Sequence, residues 1–315
     1  MNQHHFTSTD LWRNTLEATS RNDGYRSERE RLRASYLSLR ENAVHLLGEA
    51  ARSTPEFTVH DITHVDALWE TASLVCGEDN RLTAAEAYVL GCSFVLHDAA
   101  MGAAAYGSGI PDAIGAERWR DLVSVAYYRS KGCWPEAEQI DAPPAEVVEL
   151  CTVQAIRETH AAQAARLVDQ PWTSSAGNQL YLIQDTQLRE SYGPLIGQLA
   201  ASHWWDVDSL AERFKQTRGS LPWQPADWII EPLKLACILR LADAVQIDSR
   251  RAPTFLFALR APGGESYHHW RFQEHASRPH LSGDRVTLPP CVRSTRPPPR
   301  PGGLPWTICA VSTGS

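Results

Sequence analysis

The adjacent residues His97 and Asp98 follow an apolar run over residues 87–96. A carboxylate in an apolar core is strongly destabilising unless it is paired or coordinates a cation. Histidine and aspartate are also the ligands of borderline divalent ions such as Mn, Fe, Co, Ni or Zn. The pair therefore predicts a metal site, and the chain offers four further ligands at wide intervals: His64, His160, His203 and Asp243.

Helices are predicted to position these residues, since apolar residues recur at spacings of three and four over most of residues 8–247. Thr83 and Glu86 form a capping-box pattern at the start of the helix that ends in His97 and Asp98. A second helix is expected to begin close to His64, because Asp61 and Thr63 precede an apolar pattern, and another helix covers residues 145–168. Prolines are expected in the first turns of two more helices, Pro194 before His203 and Pro232 before Asp243.

His64, His160 and His203 each share a helix face with apolar residues, so their imidazoles should point inward. Any one of them alone is more often a hydrogen-bonded core histidine than a ligand. The joint pattern favours a metal site, because Asp243 also lies within an apolar run. His60 lies four residues before His64, outside the predicted helix, and is expected to support the site or lie at the surface, with a ligand role as the alternative.

Three segments are predicted along the chain: a helical metal-binding domain over residues 1–252, a small β-appendage over residues 253–288 and a Pro-rich disordered tail over residues 289–315. The appendage is expected because residues 254–259, 267–273 and 285–288 have short aromatic or β-branched patterns between Gly and Pro residues. The tail has five prolines between residues 297 and 305 and little periodicity.

The charge balance argues against a nucleic-acid partner. The net charge is −7 and the sequence pI is about 5.9, so no overall basic field would hold a phosphate backbone. No apolar stretch is long enough to predict a membrane segment. The seven cysteines are dispersed without a C-x-x-C pair, which is typical of reduced thiols and favours a cytoplasmic protein.

The ordered set of His64, the His97–Asp98 pair, His160, His203 and Asp243 is similar to the HD superfamily of metal-dependent phosphohydrolases. Residues 57–65, 94–98, 156–161 and 239–244 carry this resemblance. Residues 248–253 and 266–273 further resemble a bacterial branch called HD-CE, which occurs as the amino-terminal module of larger proteins with an Hsp90-like ATPase. The likeness extends over about residues 30–288.

The resemblance implies an all-α fold, an HD-domain helical bundle to which the β-appendage and the tail are attached. It implies that a first metal is held by His64, His97, Asp98 and Asp243, and that His160 and His203 bind a second metal or the substrate phosphate. The sequence departs from the family pattern at two places. Asp98 is followed by Ala99 to Gly102 instead of Ile-Gly, and the second aspartate expected after Asp243 is replaced by Gln246.

The function implied is hydrolysis of a nucleotide or another small phosphate ester by a metal-activated water. Asp98, His160 and His203 are the catalytic candidates. Arg157 and Arg240 each lie one turn before a ligand, so they are candidates for binding the substrate phosphate, with structural ion pairing as the alternative.

Three other functions are compatible with the same residues. The first is a regulatory module that senses a nucleotide or metal without turnover and acts with an Hsp90-like ATPase, since fold does not fix function. The second is a di-iron oxygenase. The third is a nuclease, which the charge balance disfavours.

Overall fold

The computed structural model describes residues 6–17, 24–77, 81–282 and 285–289. These residues form thirteen α-helices and four short strands, so the prediction of a mostly helical protein with a small amount of β-structure is confirmed. In chain order the elements are α1 Asp10–Thr15, α2 Arg26–Ser53, α3 Ile62–Cys76, α4 Ala84–Leu96, α5 Ile110–Ile114, α6 Ala116–Lys131, α7 Ala137–Asp141, α8 Ala145–Arg166, β1 Trp172–Thr173, β2 Gln179–Leu180, α9 Thr186–Ser202, α10 Val207–Arg213, α11 Pro232–Val245, α12 Thr254–Arg260, α13 Gly264–Glu274, β3 His280–Ser282 and β4 Arg285–Thr287.

Helix α4 forms the centre of the bundle, and all of its residues are buried. It packs against α2, α3, α9 and α11, and it begins at the predicted capping box of Thr83 and Glu86. An aromatic cluster closes one side of this core, where the Trp69 indole N–H donates to the Tyr36 hydroxyl at 2.7 Å. Because α4 ends at Leu96, the following residues His97 and Asp98 lie inside the bundle.

Two further site helices begin at the predicted signals. The Asp61 side chain caps α3 by accepting from the Thr63 N–H at 2.8 Å, which places His64 in the first turn. Pro232 occupies the first turn of α11, where its missing N–H costs no intrahelical hydrogen bond.

Helix α9 begins earlier than predicted. It starts at Thr186, after Asp185 accepts from the Leu188 N–H at 3.0 Å, and Pro194 lies in its interior. The prediction that Pro194 begins the helix is therefore wrong. A proline inside a helix removes one hydrogen bond, and the packing of α9 against α4 and α8 offsets this loss.

Helices α8 and α9 approach closely because two glycines face α8. A Cβ atom added at Gly197 would lie 2.6 Å from the Ala165 carbonyl oxygen, and one at Gly193 would lie 2.4 Å from Val168 Cγ1. This contact places the carboxyl-terminal half of α8, which contains His160, beside the carboxyl-terminal half of α9, which His203 follows directly.

The region after Pro253 contains more helix than predicted. Residues 254–259 and 267–273 were expected as strands, yet they lie in α12 and α13, so that part of the prediction is wrong. Periodicity does not separate helix from strand in such short apolar segments. Strands β3 and β4 form an antiparallel hairpin in the predicted region, and β1 pairs with β2 in another.

The C-terminal helices are anchored on the segment that precedes α3. The buried Trp270 indole donates to the Glu56 carbonyl at 2.8 Å, and the Val59 N–H donates to the Arg251 carbonyl at 2.8 Å. The domain boundary at residues 252/253 stays a prediction. Residues 290–315, which hold nearly all of the predicted disordered tail, lie outside the described residues.

Two further sequence predictions concern membranes and thiols. Among the described residues, no helix combines the length and apolar composition that crossing a membrane requires. The cysteines in the same part of the chain are free thiols: Cys76, Cys92, Cys133, Cys151 and Cys237.

Candidate metal centre

The six predicted ligands converge at the centre of the bundle. They form two groups, and within each group one potential ligand atom per residue lies within 4.8 Å of the others. The first group is His64, His97 and Asp243, and the second is Asp98, His160 and His203. These residues lie in or directly after five helices, namely α3, α4, α8, α9 and α11.

In the first group, the ring nitrogens of two histidines face one carboxylate. His64 Nε2 lies 3.3 Å from His97 Nε2 and 3.3 Å from Asp243 Oδ1. His97 Nε2 lies 3.8 Å from the same Asp243 oxygen. Two nitrogens and one oxygen therefore point into a common space.

Asp98 lies between the two groups. Its Oδ2 atom is 3.1 Å from His97 Nε2 and 3.7 Å from His64 Nε2, while Oδ1 is 4.0 Å from His203 Nε2. His203 Nε2 in turn lies 3.0 Å from His160 Nε2. One carboxylate oxygen thus faces each group.

The outer nitrogens of the four histidines are all hydrogen-bonded to oxygen atoms. Nδ1 donates to the Phe94 carbonyl from His97, to the Arg157 carbonyl from His160, to the Ala200 carbonyl from His203 and to the Gln246 side-chain oxygen from His64. In the neutral tautomers fixed by these bonds, Nε2 presents a lone pair. Two pairs of these nitrogens face each other, at 3.0 Å in His160 and His203 and at 3.3 Å in His64 and His97. The donor set therefore fits a divalent cation.

Gln246 supports the first group, and the sequence analysis did not assign it a role. Its Oε1 atom accepts from His64 Nδ1 at 2.7 Å, and its side chain is buried. An ion-pair network lies beside it, in which the buried Asp248 contacts Arg250, and Arg250 Nη1 lies 2.8 Å from Glu70 Oε2. The only sequence signal was its position, where the HD pattern has a second aspartate.

Burial and charge determine which groups are ionised. Burial opposes the charged form of His97, yet the adjacent carboxylates of Asp98 and Asp243 raise its pKa to about 9. Burial also opposes ionisation of the two carboxyl groups, but the neighbouring histidines hold the pKa of each below its usual value. At neutral pH both carboxyl groups are therefore ionised and His97 carries a proton.

The other histidines with altered pKa values remain neutral. Burial lowers the pKa of His203 to about 4 and that of His60 to about 3. Burial together with the nearby Arg251 guanidinium also lowers the pKa of His64. Neutral imidazole is the form that binds a metal.

Arg251 is a second residue that the sequence analysis left without a role. It is 8% exposed, its Nη2 donates to His60 Nε2 at 2.7 Å, and its Nη1 lies 3.6 Å from Asp243 Oδ1. Its buried Nε has no hydrogen-bond partner among the described residues. His60 is itself fixed, because its Nδ1 donates to the Thr58 carbonyl at 2.6 Å. A cationic donor thus remains available beside the metal ligands.

The two arginines predicted for substrate binding lie in different places. Arg157 lines a cavity of about 220 Å³ beside the centre, and its guanidinium lies over the Phe57 ring at 5.2 Å. Arg240 is not among the described residues that line this cavity, because its Nη1 donates to the Ser202 and Trp205 carbonyls at 2.6 and 2.5 Å. The complete lining is Phe57, His60, Asp98, Met101, Arg157, His160, His203, Trp204, Asp243 and Arg251.

Comparison with known proteins agrees with this geometry. The HD-CE family model matches residues 54–295, which include all six predicted ligands as well as Gln246 and Arg251. No curated protein and no solved structure matches the chain. Since the match covers more than half of the sequence, the chain belongs to the HD-CE family.

Proposed function

We propose that the protein is a metal-dependent phosphohydrolase that acts on a nucleotide or another small phosphate ester. One observation carries the proposal: four histidine Nε2 atoms and two carboxylates converge beside a cavity that contains arginine. The HD-CE family membership is consistent with this activity.

One or two divalent ions would be held by His64, His97 and Asp243, and by Asp98, His160 and His203, with Asp98 able to contact both. Mn, Fe, Co, Ni or Zn suit imidazole and carboxylate ligands. When bound, such an ion lowers the pKa of a coordinated water and polarises a phosphoryl oxygen.

The chain's own residues would orient the reaction. The Asp98 carboxylate lines the cavity and stays ionised, so it can accept a hydrogen bond from the attacking water. His203 stays neutral near pH 7, since its pKa is about 4, and therefore acts as a ligand or hydrogen-bond acceptor instead of a proton donor. His160 completes the same group.

Arg251 and Arg157 would bind the phosphate. Both line the cavity, and the Arg251 Nε atom still lacks an acceptor, so an added anion would satisfy a buried donor. Positive charge placed where negative charge develops lowers the barrier to phosphoryl transfer. Arg240 would stabilise the end of α9 through its carbonyl contacts.

The test is hydrolysis of p-nitrophenyl phosphate and a panel of nucleotides by Mn²⁺-loaded protein, together with elemental analysis. We expect Asp98→Ala to abolish phosphate release, and Arg251→Ala to lower kcat/KM on the order of a hundredfold. Arg240→Ala is the matched arginine control and should retain turnover in protein that remains folded. Full phosphate release by Asp98→Ala would contradict the proposal.

The second candidate is a regulatory module that binds a nucleotide or metal without turnover and acts with an Hsp90-like ATPase. One observation favours it: Gln246 replaces a carboxylate of the HD pattern and is engaged with His64. Nucleotide binding by calorimetry without phosphate release would support this candidate over the hydrolase.

A further inference from the structure

A groove of about 810 Å³ lies next to the metal centre, and the proposed function does not yet use it. Residues 52–57, α6 and α8 form its walls. Phe57 and Arg157 line both this groove and the metal-centre cavity. The two spaces therefore adjoin at the arginine that faces the proposed phosphate position.

The Arg157 side chain can contact a ligand in either space. Among the described residues its guanidinium has no hydrogen bond or ion pair, and its one recorded contact is with the Phe57 ring. A phosphate on one side and an organic group on the other could thus touch the same side chain.

The volumes decide where the organic part of an ester would lie. Small-molecule sites usually have volumes of about 300–1,000 Å³. The metal-centre cavity, at about 220 Å³, falls below this range, while the groove falls within it. The metal-centre cavity is thus smaller than a usual small-molecule site, and part of a larger ligand must extend outside it.

The groove is long, and apolar surface exceeds polar surface in its lining, although arginine and glutamate side chains also line it. Helices α6 and α8 are antiparallel, since Lys131 contacts Glu146 at one end and Arg118 contacts Glu158 at the other. From Glu146 to Arg157 the rise of α8 is about 16 Å. Phe57 is the single aromatic residue of the lining, and the aliphatic residues are Leu122, Val125, Ala126, Val148, Leu150 and Val153.

We propose that this groove binds the organic part of the phosphate ester, and that this part is an elongated aliphatic group. The inference rests on the proposed function in one respect, because it places the phosphate at the metal centre. Val125 and Leu150 are 41% and 50% exposed, and an aliphatic ligand would cover these two side chains from solvent.

The experiment uses n-alkylphosphonates from ethyl to decyl, which are not hydrolysed, with calorimetry on the full-length Mn²⁺-loaded protein. Complete burial of a methylene strengthens binding about fourfold, and burial in an open groove about twofold. We therefore expect the dissociation constant to fall about twofold to fourfold for each added methylene until the groove is filled. Equal affinity across the series would overturn the proposal, as would failure of every member to bind.

Matched variants locate the effect. Leu150→Lys should flatten the dependence on chain length, and Val125→Lys provides the same test if the first variant does not fold. Val207→Lys changes an exposed valine outside the groove, 68% exposed on α10, and should keep the wild-type dependence. If the dependence survives both groove variants but disappears in Trp204→Ala, whose side chain lines the metal cavity and not the groove, the assignment to the groove is wrong.

The experiments distinguish failure of the hydrolase proposal from failure of the groove proposal. A dependence on chain length without hydrolysis of any ester would support the groove and contradict the hydrolase. Hydrolysis of p-nitrophenyl phosphate without any dependence on chain length would support the hydrolase and overturn the groove. Adenosine 5′-monophosphate is the aromatic comparison, and a dissociation constant unaffected by Leu150→Lys would place its base outside the groove.

Discussion

His97 is protonated at neutral pH, and this affects how the centre would bind a metal ion. Its pKa of about 9 lies above the unperturbed value, so the group carries a proton at pH 7 in the metal-free protein. The Asp98 and Asp243 carboxyl groups, whose pKa values are lowered, have already lost their protons at that pH. A cation that uses His97 Nε2 must therefore displace one proton.

We expect Mn²⁺ binding at pH 7 to release about one proton. The affinity should rise by up to about tenfold per pH unit between pH 7 and 9 and level off above the pKa of His97, because deprotonation then no longer opposes binding. Calorimetry in two buffers of different ionisation enthalpy measures the released proton. Affinity that is constant over this range would show that His97 is not the proton source.

Gln246 should tune the affinity of the first metal group through its bond to His64. Gln246→Met keeps the length of the side chain but removes the acceptor, and we expect a loss of Mn²⁺ affinity of about tenfold to a hundredfold. Gln246→Glu keeps an acceptor oxygen and should recover much of the affinity. Equal affinities in all three proteins, measured by calorimetry at one pH, would remove Gln246 from the metal site.

The residues that sequence reasoning found differ in kind from those it missed. The six ligands were predictable because titratable groups such as His97 and Asp243 are costly inside apolar helices. Gln246 and Arg251 follow the end of α11, where no periodicity fixes side-chain direction. Arg240 is three residues before Asp243, yet its long side chain reaches the end of α9 instead.

At the scale of elements, the approach of α8 to α9 positions His160 and His203. Gly197→Ala would place a Cβ 2.6 Å from the Ala165 carbonyl oxygen, so the helices must separate. We expect a loss of about 1–3 kcal/mol in the free energy of unfolding, together with weaker binding of a second cation. Urea denaturation and metal titration measure the two effects.

Gly48→Ala is the matched control for that change. Gly48 lies within α2, and a Cβ there meets nothing within 4 Å. The substitution should stabilise the protein by about 0.5–1 kcal/mol, since alanine favours helix. If both variants gain stability, the close contact between α8 and α9 does not limit the packing.

Helix boundaries were predictable where a side chain caps the backbone and not where packing overrides local preference. The starts of α3 and α4 were predicted correctly from Asp61 and Thr83. Residues whose side-chain oxygen accepts from the free N–H groups of a first turn have a clear sequence signature. Pro194 led to a wrong prediction of the helix start, because it lies in the interior of α9. The short aromatic and β-branched pattern of residues 254–259 suggested a strand, although seven residues there form α12.

At the scale of the whole molecule, an acidic chain with a net charge of −7 carries two unpaired or partly paired arginines at one cavity. Net charge predicted the absence of an overall basic surface, but it does not describe a local pocket. The convergence of five helices could not be derived from periodicity, which gives the inward face of each helix and not its neighbours. The resemblance to the HD superfamily supplied that arrangement.

Metal binding should stabilise the whole fold, because its ligands lie between residues 64 and 243. An ion at a hundred times its dissociation constant adds about 2.7 kcal/mol to the free energy of unfolding, so Mn²⁺ should raise Tm by roughly 5 °C. EDTA should reverse the shift, and Asp98→Ala should reduce or abolish it. Scanning calorimetry measures these shifts. Equal shifts in Tm for the wild type and Asp98→Ala would indicate that Mn²⁺ binds outside this centre.

Five separate helices position the candidate ligands, and this arrangement has a spectroscopic consequence. Cobalt(II) seated among these imidazoles would have visible absorption bands that depend on its coordination, and that coordination requires the assembled bundle. Its colour would fade in step with the loss of tertiary packing during denaturation, making the ion an internal indicator of the native state.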